Sequence, residues 1–141
     1  RPPISTLFPY TTLFRSEDCK FDTDHAENAF HVGAFHEGVL ISVASFCIEN
    51  HPDFPAGHQY RLRAMATLED FRRLGAGRLV VDYAEKIIKG KGVGFLWCKG
   101  RTSVQEYYQK LGFVPHGEAF DYPPIGLHII MYKDLYKDHI N

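Results

Sequence analysis

The apolar positions of the chain change period along its length, and each change marks an element. Residues 30–35 and 39–48 are dense in Val, Ile and Phe and flank the compact turn His36-Glu37-Gly38, which predicts an antiparallel hairpin. The stretch His51-Pro52-Asp53-Phe54-Pro55-Ala56-Gly57 interrupts this pattern, because two prolines and a glycine cannot continue a ladder, and a third strand is expected over residues 59–66. After Gly77 the period lengthens. Leu79, Val80, Tyr83, Ala84, Ile87 and Ile88 recur at helical spacing while Arg78, Asp82, Glu85, Lys86 and Lys89 fall opposite, so one face is core and one is water. Asp82 with Lys86 and Glu85 with Lys89 are acid-before-base pairs four apart, each worth ~0.3 kcal/mol on an exposed helix. Gly90 is a natural stop.

Residues 95–98 form a short apolar run of buried-strand type. Ser103 and Glu106 then make a capping-box pattern, and Val104, Tyr107, Tyr108 and Leu111 give a second helix its apolar side before Gly112 ends it. Phe113-Val114, the region to Phe120, and residues 127–132 supply two closing strands around Pro123-Pro124. The order is strand, strand, strand, helix, strand, helix, strand, strand, without internal repeat. That order predicts an α/β (α+β) domain with a mixed sheet and helices packed on it.

The beginning of the chain reads differently. Leu7-Phe8-Pro9-Tyr10-Thr11-Thr12-Leu13-Phe14-Arg15-Ser16 is encoded in order by the codons of a widely used sequencing adapter, so residues 1–16 are expected to be an artefactual segment. A signal peptide is the alternative, but Pro9 and the threonines interrupt the apolar core and no small-residue cleavage site follows. Residues 17–141 are then a single domain lacking its native N-terminus, opening with an acidic, aperiodic loop or helix remnant over 17–27.

Composition narrows the class. The chain has 141 residues, 45% hydrophobic and 23% charged, which suits one globular domain. Sixteen Lys and Arg against 17 Asp and Glu leave a net charge of -1, so no global positive field draws the protein onto nucleic acid or an anionic membrane. Apolar runs such as Val39-Leu40-Ile41 fall far short of the roughly 20 residues that cross a bilayer. Cys19, Cys47 and Cys98 form no C-x-x-C pair and cannot all be bridged, which points to a reducing, cytoplasmic setting.

Local anion chemistry is a separate matter. Arg72-Arg73-Leu74-Gly75-Ala76-Gly77-Arg78 sits between a strand and a helix N-terminus, where the first backbone N–H groups lack internal partners and carry the positive end of the helix dipole. Gly75 and Gly77 would let the backbone approach a diphosphate closely, although a plain helix start also uses glycines for a tight turn. A dinucleotide fingerprint needs a glycine where Val80 stands, and a Walker loop needs Gly-Lys-Ser/Thr. Gly90-Lys91-Gly92-Val93-Gly94 follows a helix rather than preceding one, and reads as a helix stop.

Arg72-x-x-Gly75-x-Gly77, preceded by Leu62-Arg63-Ala64-Met65-Ala66-Thr67 and followed by Tyr108-Gln109-Lys110-Leu111-Gly112-Phe113, resembles the GNAT superfamily of acyl-CoA-dependent N-acetyltransferases. Leu96-Trp97-Cys98 and Gly126-Leu127-His128 are most similar to its ElaA-like branch. The resemblance implies a mostly antiparallel central sheet with flanking helices and direct transfer of an acetyl group from acetyl-CoA to a primary amine of a small molecule or protein. It places the coenzyme diphosphate at Arg73, Leu74, Gly75, Ala76, Gly77 and Arg78, and the pantetheine arm along Met65, Ala66 and Thr67. Solvated surface residues are an equal reading for the side chains of Arg73 and Arg78. Tyr108 matches the tyrosine that protonates the departing thiolate; its alternative is core packing.

The sequence departs from the family where Arg101 replaces an Asn, Val104 an Ala and Leu96 a glutamate base. Glu118, Asp121 and His128 remain as bases, and His128 is chosen because histidine titrates near neutral pH, with a strand-end packing role as its alternative. No metal is implied: His31 and His36 would face opposite sides of a strand, and Cys98 reads as a packing residue. The partners expected are acetyl-CoA and an amine, with a homodimer left open. Two other functions compete: a catalytically weakened acyl-CoA-binding sensor, suggested by Leu96, Arg101 and the altered start, and a generic anion or nucleic-acid binder.

Overall fold

The structure, a computed structural model, describes residues 6–10, 28–124 and 126–136. Its strands are β1 (Thr6–Tyr10), β2 (Phe30–His36), β3 (Val39–Ile48), β4 (Tyr60–Thr67), β5 (Phe95–Arg101), β6 (Val114–Tyr122) and β7 (Gly126–Asp134); the helices are α1 (Ala76–Gly90) and α2 (Gln105–Lys110). They build one sheet in the order β1-β2-β3-β4-β5-β7-β6. Every neighbouring pair is antiparallel except β4 with β5.

The β2–β3 hairpin turns at Glu37 (φ 50°) and Gly38 (φ 79°). Positive φ at both central residues is the turn whose twist matches that of paired strands. The strand over residues 6–10 comes from the adapter-like segment and pairs antiparallel with β2, Phe8 opposite Gly33. The expectations for residues 17–27 fall outside the described residues.

Both helices cover one face of the sheet. Val80, Val81, Ala84 and Ile88 of α1 are buried with Val32, Phe46, Leu62, Leu96, Cys98 and Met131. Each large aliphatic side chain removed from water there contributes roughly 1.5–3 kcal/mol. Lys133 of β7 fixes the second helix to the first. Its Nζ lies 2.7 Å from Glu85 Oε2 on α1 and donates over 2.7 Å to the carbonyl of Leu111, just past α2.

On the opposite face the proline-containing loop folds over β5. His51 packs edge-on against Trp97 with centroids 5.0 Å apart, Phe54 meets Phe95 at 4.8 Å, and the indole N–H donates to Glu49 O over 2.7 Å. Gln59, fully buried, holds this loop. It accepts from His51 N–H and donates to the carbonyls of Phe54 and Ala56.

The second helix differs from the expectation. A tight turn over Thr102–Val104 precedes α2, and neither start carries a side-chain cap, so the Ser103–Glu106 capping box is not formed. Val104 and Tyr107 are exposed rather than part of an apolar side; Leu111 is buried and Tyr108 half-buried. A helix of six residues presents one narrow face, and here Tyr108 takes it.

Candidate active site

The parallel ladder of β4 and β5 runs through Tyr60 opposite Leu96, Arg61 opposite Trp97 and Leu62 opposite Cys98, then ends. Beyond it β4 continues to Thr67 and β5 to Arg101 without pairing to one another. The cause lies on the other edge of β4. Between Ser45 and Phe46 of β3 the partner skips from Ala64 to Leu62, leaving Arg63 as an extra residue in β4. A bulge bends its strand and increases local twist, which swings residues 63–67 away from β5. The distal half of β4 stays paired with β3 (Met65 opposite Ala44, Thr67 opposite Ser42), so its edge toward β5 is bare backbone. An extended ligand can add there as a strand does.

The end of β4 is pinned. Ser42 Oγ lies 2.8 Å from Thr67 Oγ1 and 3.3 Å from the Ala66 carbonyl, and Arg72 Nε donates to Thr67 O over 3.3 Å. From there the chain turns directly into α1. Gly75 has φ 84°, a left-handed conformation that costs other residues about 1–2 kcal/mol, and open space surrounds the position of its absent Cβ. Gly75 O accepts the first intrahelical bond, from Leu79 N–H at 3.0 Å. The N–H groups of Ala76, Gly77 and Arg78 therefore have no carbonyl one turn back. No side chain caps this end, and the first turn holds no acidic residue. Such free amides and the positive end of the helix dipole favour an anion.

The two glycines of the turn do different things. Gly75 serves conformation. At Gly77, a Cβ would collide with the hydroxyl of Tyr107 and lie 2.6 Å from Met65 Cε, so its missing side chain makes room for α2. The arginines also divide. Arg78 donates to the carbonyl of Lys110, capping the C-terminus of α2, and Arg72 holds Thr67. Arg73 is exposed and has no polar partner among the described residues. Leu74 is half-buried.

Tyr108 lies over Gly100, its Cδ2 3.2 Å from where a Cβ would stand, and packs edge-on with Phe113 at 5.9 Å and Tyr107 at 5.7 Å. Burial, aided by the neighbouring Cys98 and Tyr107, pushes its phenol up to about 12. It therefore keeps its proton throughout the neutral range. Tyr107 is raised by burial against the opposing pull of Arg78. Cys98, the last β5 residue of the parallel ladder, is raised by burial to about 12 and is inert as a nucleophile.

His128 is buried on the other side of the sheet. It pairs across the strands with Arg101 and Phe120 and shares a face with Ile130 and Tyr132, whereas Tyr108 stands over Gly100 and Met131. Its Nδ1 donates to Gly126 O over 2.9 Å. Glu118 and Asp121 are exposed on β6, and Leu96 is fully buried in the core. Among the described residues no group of three metal-ligating side chains exists.

Sequence reasoning missed the bulge at Arg63, the clasp of Ser42 and the place of Tyr107. Ser42 carried a signal, a hydroxyl inside an apolar strand. The bulge carried none, because it is a property of two strands in register.

The chain belongs to the GNAT acetyltransferase family, whose model matches residues 3–113. It is an acyltransferase. It is 48% identical over 119 residues, 84% of this chain and 80% of the relative, to YitI of Bacillus subtilis (strain 168), described as an uncharacterized N-acetyltransferase. A Lactobacillus plantarum protein proposed to be an N-acetyltransferase has the same fold at TM-score 0.69 and 17% identity, covering 92% of this chain and 97% of that one. Escherichia coli ElaA matches at TM-score 0.66 and 16% identity over 81% of this chain and 74% of its own, a likeness of fold. No helix of the described residues is long and apolar enough to cross a membrane.

Proposed function

We propose that the protein transfers an acetyl group from acetyl-CoA to a primary amine, directly, within a ternary complex. The observation that carries this reading is the uncapped N-terminus of α1 beside the bare edge of β4. The amides of residues 75–78 hold the coenzyme diphosphate, with Arg73 as added charge. Met65, Ala66 and Thr67 pair with the pantetheine arm, which carries the thioester into the opening.

The amine attacks the thioester carbonyl, and a backbone N–H near Met65 or Ala66 stabilises the tetrahedral oxyanion. Tyr108, protonated because it is buried, gives its proton to the departing thiolate. His128 lies on the opposite face, where the attacking nitrogen loses its proton, so acid and base act from two sides of one carbonyl. No covalent enzyme intermediate and no metal is required, and the chemistry suits a cytoplasmic enzyme. Thiol release from acetyl-CoA over a panel of amines tests the reading. Turnover with any amine supports it; tight coenzyme binding with no thiol release for any amine makes the protein an acyl-CoA sensor instead.

A further inference from the structure

The hydroxyl of Tyr107 fills the space beside Gly77 that a Cβ would occupy, next to Met65 Cε. Met65 belongs to the strand that faces the pantetheine arm and Gly77 to the turn that faces the diphosphate, so this phenol stands where the two segments meet. It makes no hydrogen bond to any described residue, although Arg78 lies near enough to pull its pKa down against the larger upward push of burial. Tyr107 is also partly exposed rather than sealed in the core. A protonated donor at the junction of two ligand-facing segments is placed to meet an acceptor from the ligand.

We propose that Tyr107 is a coenzyme-binding residue, donating a hydrogen bond to a phosphate oxygen where the pantetheine arm joins the diphosphate, and that Gly77 is glycine in order to admit that hydroxyl. The proposal rests on the coenzyme reading of the site. It separates two adjacent tyrosines. Tyr108 serves the reacting sulfur, and Tyr107 serves affinity.

The test is calorimetric titration of the full chain with desulfo-CoA, well below the melting midpoint of each variant so that Kd reports folded protein. Tyr107→Phe keeps the ring and loses only the donor. It should weaken binding about tenfold, the usual worth of a hydrogen bond to a charged group, while Tyr108→Phe binds as the wild type does. Gly77→Ala displaces the hydroxyl and should weaken binding similarly, with little further loss when added to Tyr107→Phe. Equal affinity of Tyr107→Phe and wild type overturns the proposal. So do additive losses from the two substitutions, since they would mean that a methyl at residue 77 strikes the ligand itself. A wild-type protein that does not bind desulfo-CoA defeats the underlying coenzyme reading, a result distinct from either.

Discussion

The two edges of β5 are built to different ends. Toward β7 it is paired along its whole length, from Phe95 opposite Asp134 to Arg101 opposite His128. Toward β4 the ladder stops at Leu62 and Cys98. One residue in excess, Arg63, separates a closed seam from an open one. The paired stretch of β5 carries the packing, with Trp97 almost fully buried between Arg61 of β4, whose Cζ lies 4.8 Å from the ring centroid, and His51 of the loop. The open seam, with bare backbone, an uncapped helix end and two tyrosines, is where the proposed function places the chemistry. On that proposal, stability and function are separable along a single strand.

Substitutions can break that separation. Trp97→Ala should lower unfolding free energy by ~3–5 kcal/mol, the cost of emptying a large aromatic site, with desulfo-CoA affinity of the remaining folded protein unchanged. Denaturant titration alongside calorimetry checks both halves; an affinity loss as large as the stability loss would show that the seams are not independent. Tyr108→Phe should do the reverse. Turnover falls ~10²-fold at unchanged coenzyme affinity and stability, and equal activity of variant and parent removes Tyr108 from the mechanism.

His128→Gln is a finer probe, because it removes the proposed base while preserving a polar side chain beside Gly126. It should lower kcat/KM for the amine about tenfold and leave the KM of acetyl-CoA unaltered. Gly75→Ala forces a Cβ into the left-handed turn, so ~1 kcal/mol of stability and part of the coenzyme affinity should go together.

The smallest effect at neutral pH is alkaline. Tyr60 and Tyr108 are both pushed up to about 12 by burial, above the unfolded value of about 10. A group whose folded constant is raised supports the fold fully below its unfolded constant and loses that support as pH rises through the folded one. Stability should therefore decline between about pH 10 and 12, and decline less in Tyr108→Phe; chemical denaturation across that window measures it.

The parts legible in the sequence are those governed by local period. Val80, Ala84 and Ile88 announce α1, and Glu37-Gly38 announces the hairpin, because spacing and positive φ are properties of a few neighbouring residues. The start of α1 was legible too, since Gly75 stands directly before the amphipathic run. Illegible features depend on distant partners. Arg63 becomes a bulge only against Ser45 and Phe46, and the bond from Arg78 to the Lys110 carbonyl exists only once α2 is in place. That Gly77 also makes room for the Tyr107 hydroxyl, thirty residues on, was equally hidden. The Ser103–Glu106 motif failed because Thr102–Val104 winds tighter than an α-helix before α2 begins. In each case tertiary contact decided between local options of similar cost.

The central claim is that the opening between β4 and β5 is the coenzyme's place. Backbone amide NMR during titration with desulfo-CoA tests it at residue resolution. The account predicts that the largest shifts, and new protection from exchange, fall on Ala76, Gly77, Arg78 and residues 64–67, while the β5–β7 seam is silent. Saturable binding that leaves those amides unmoved would contradict it.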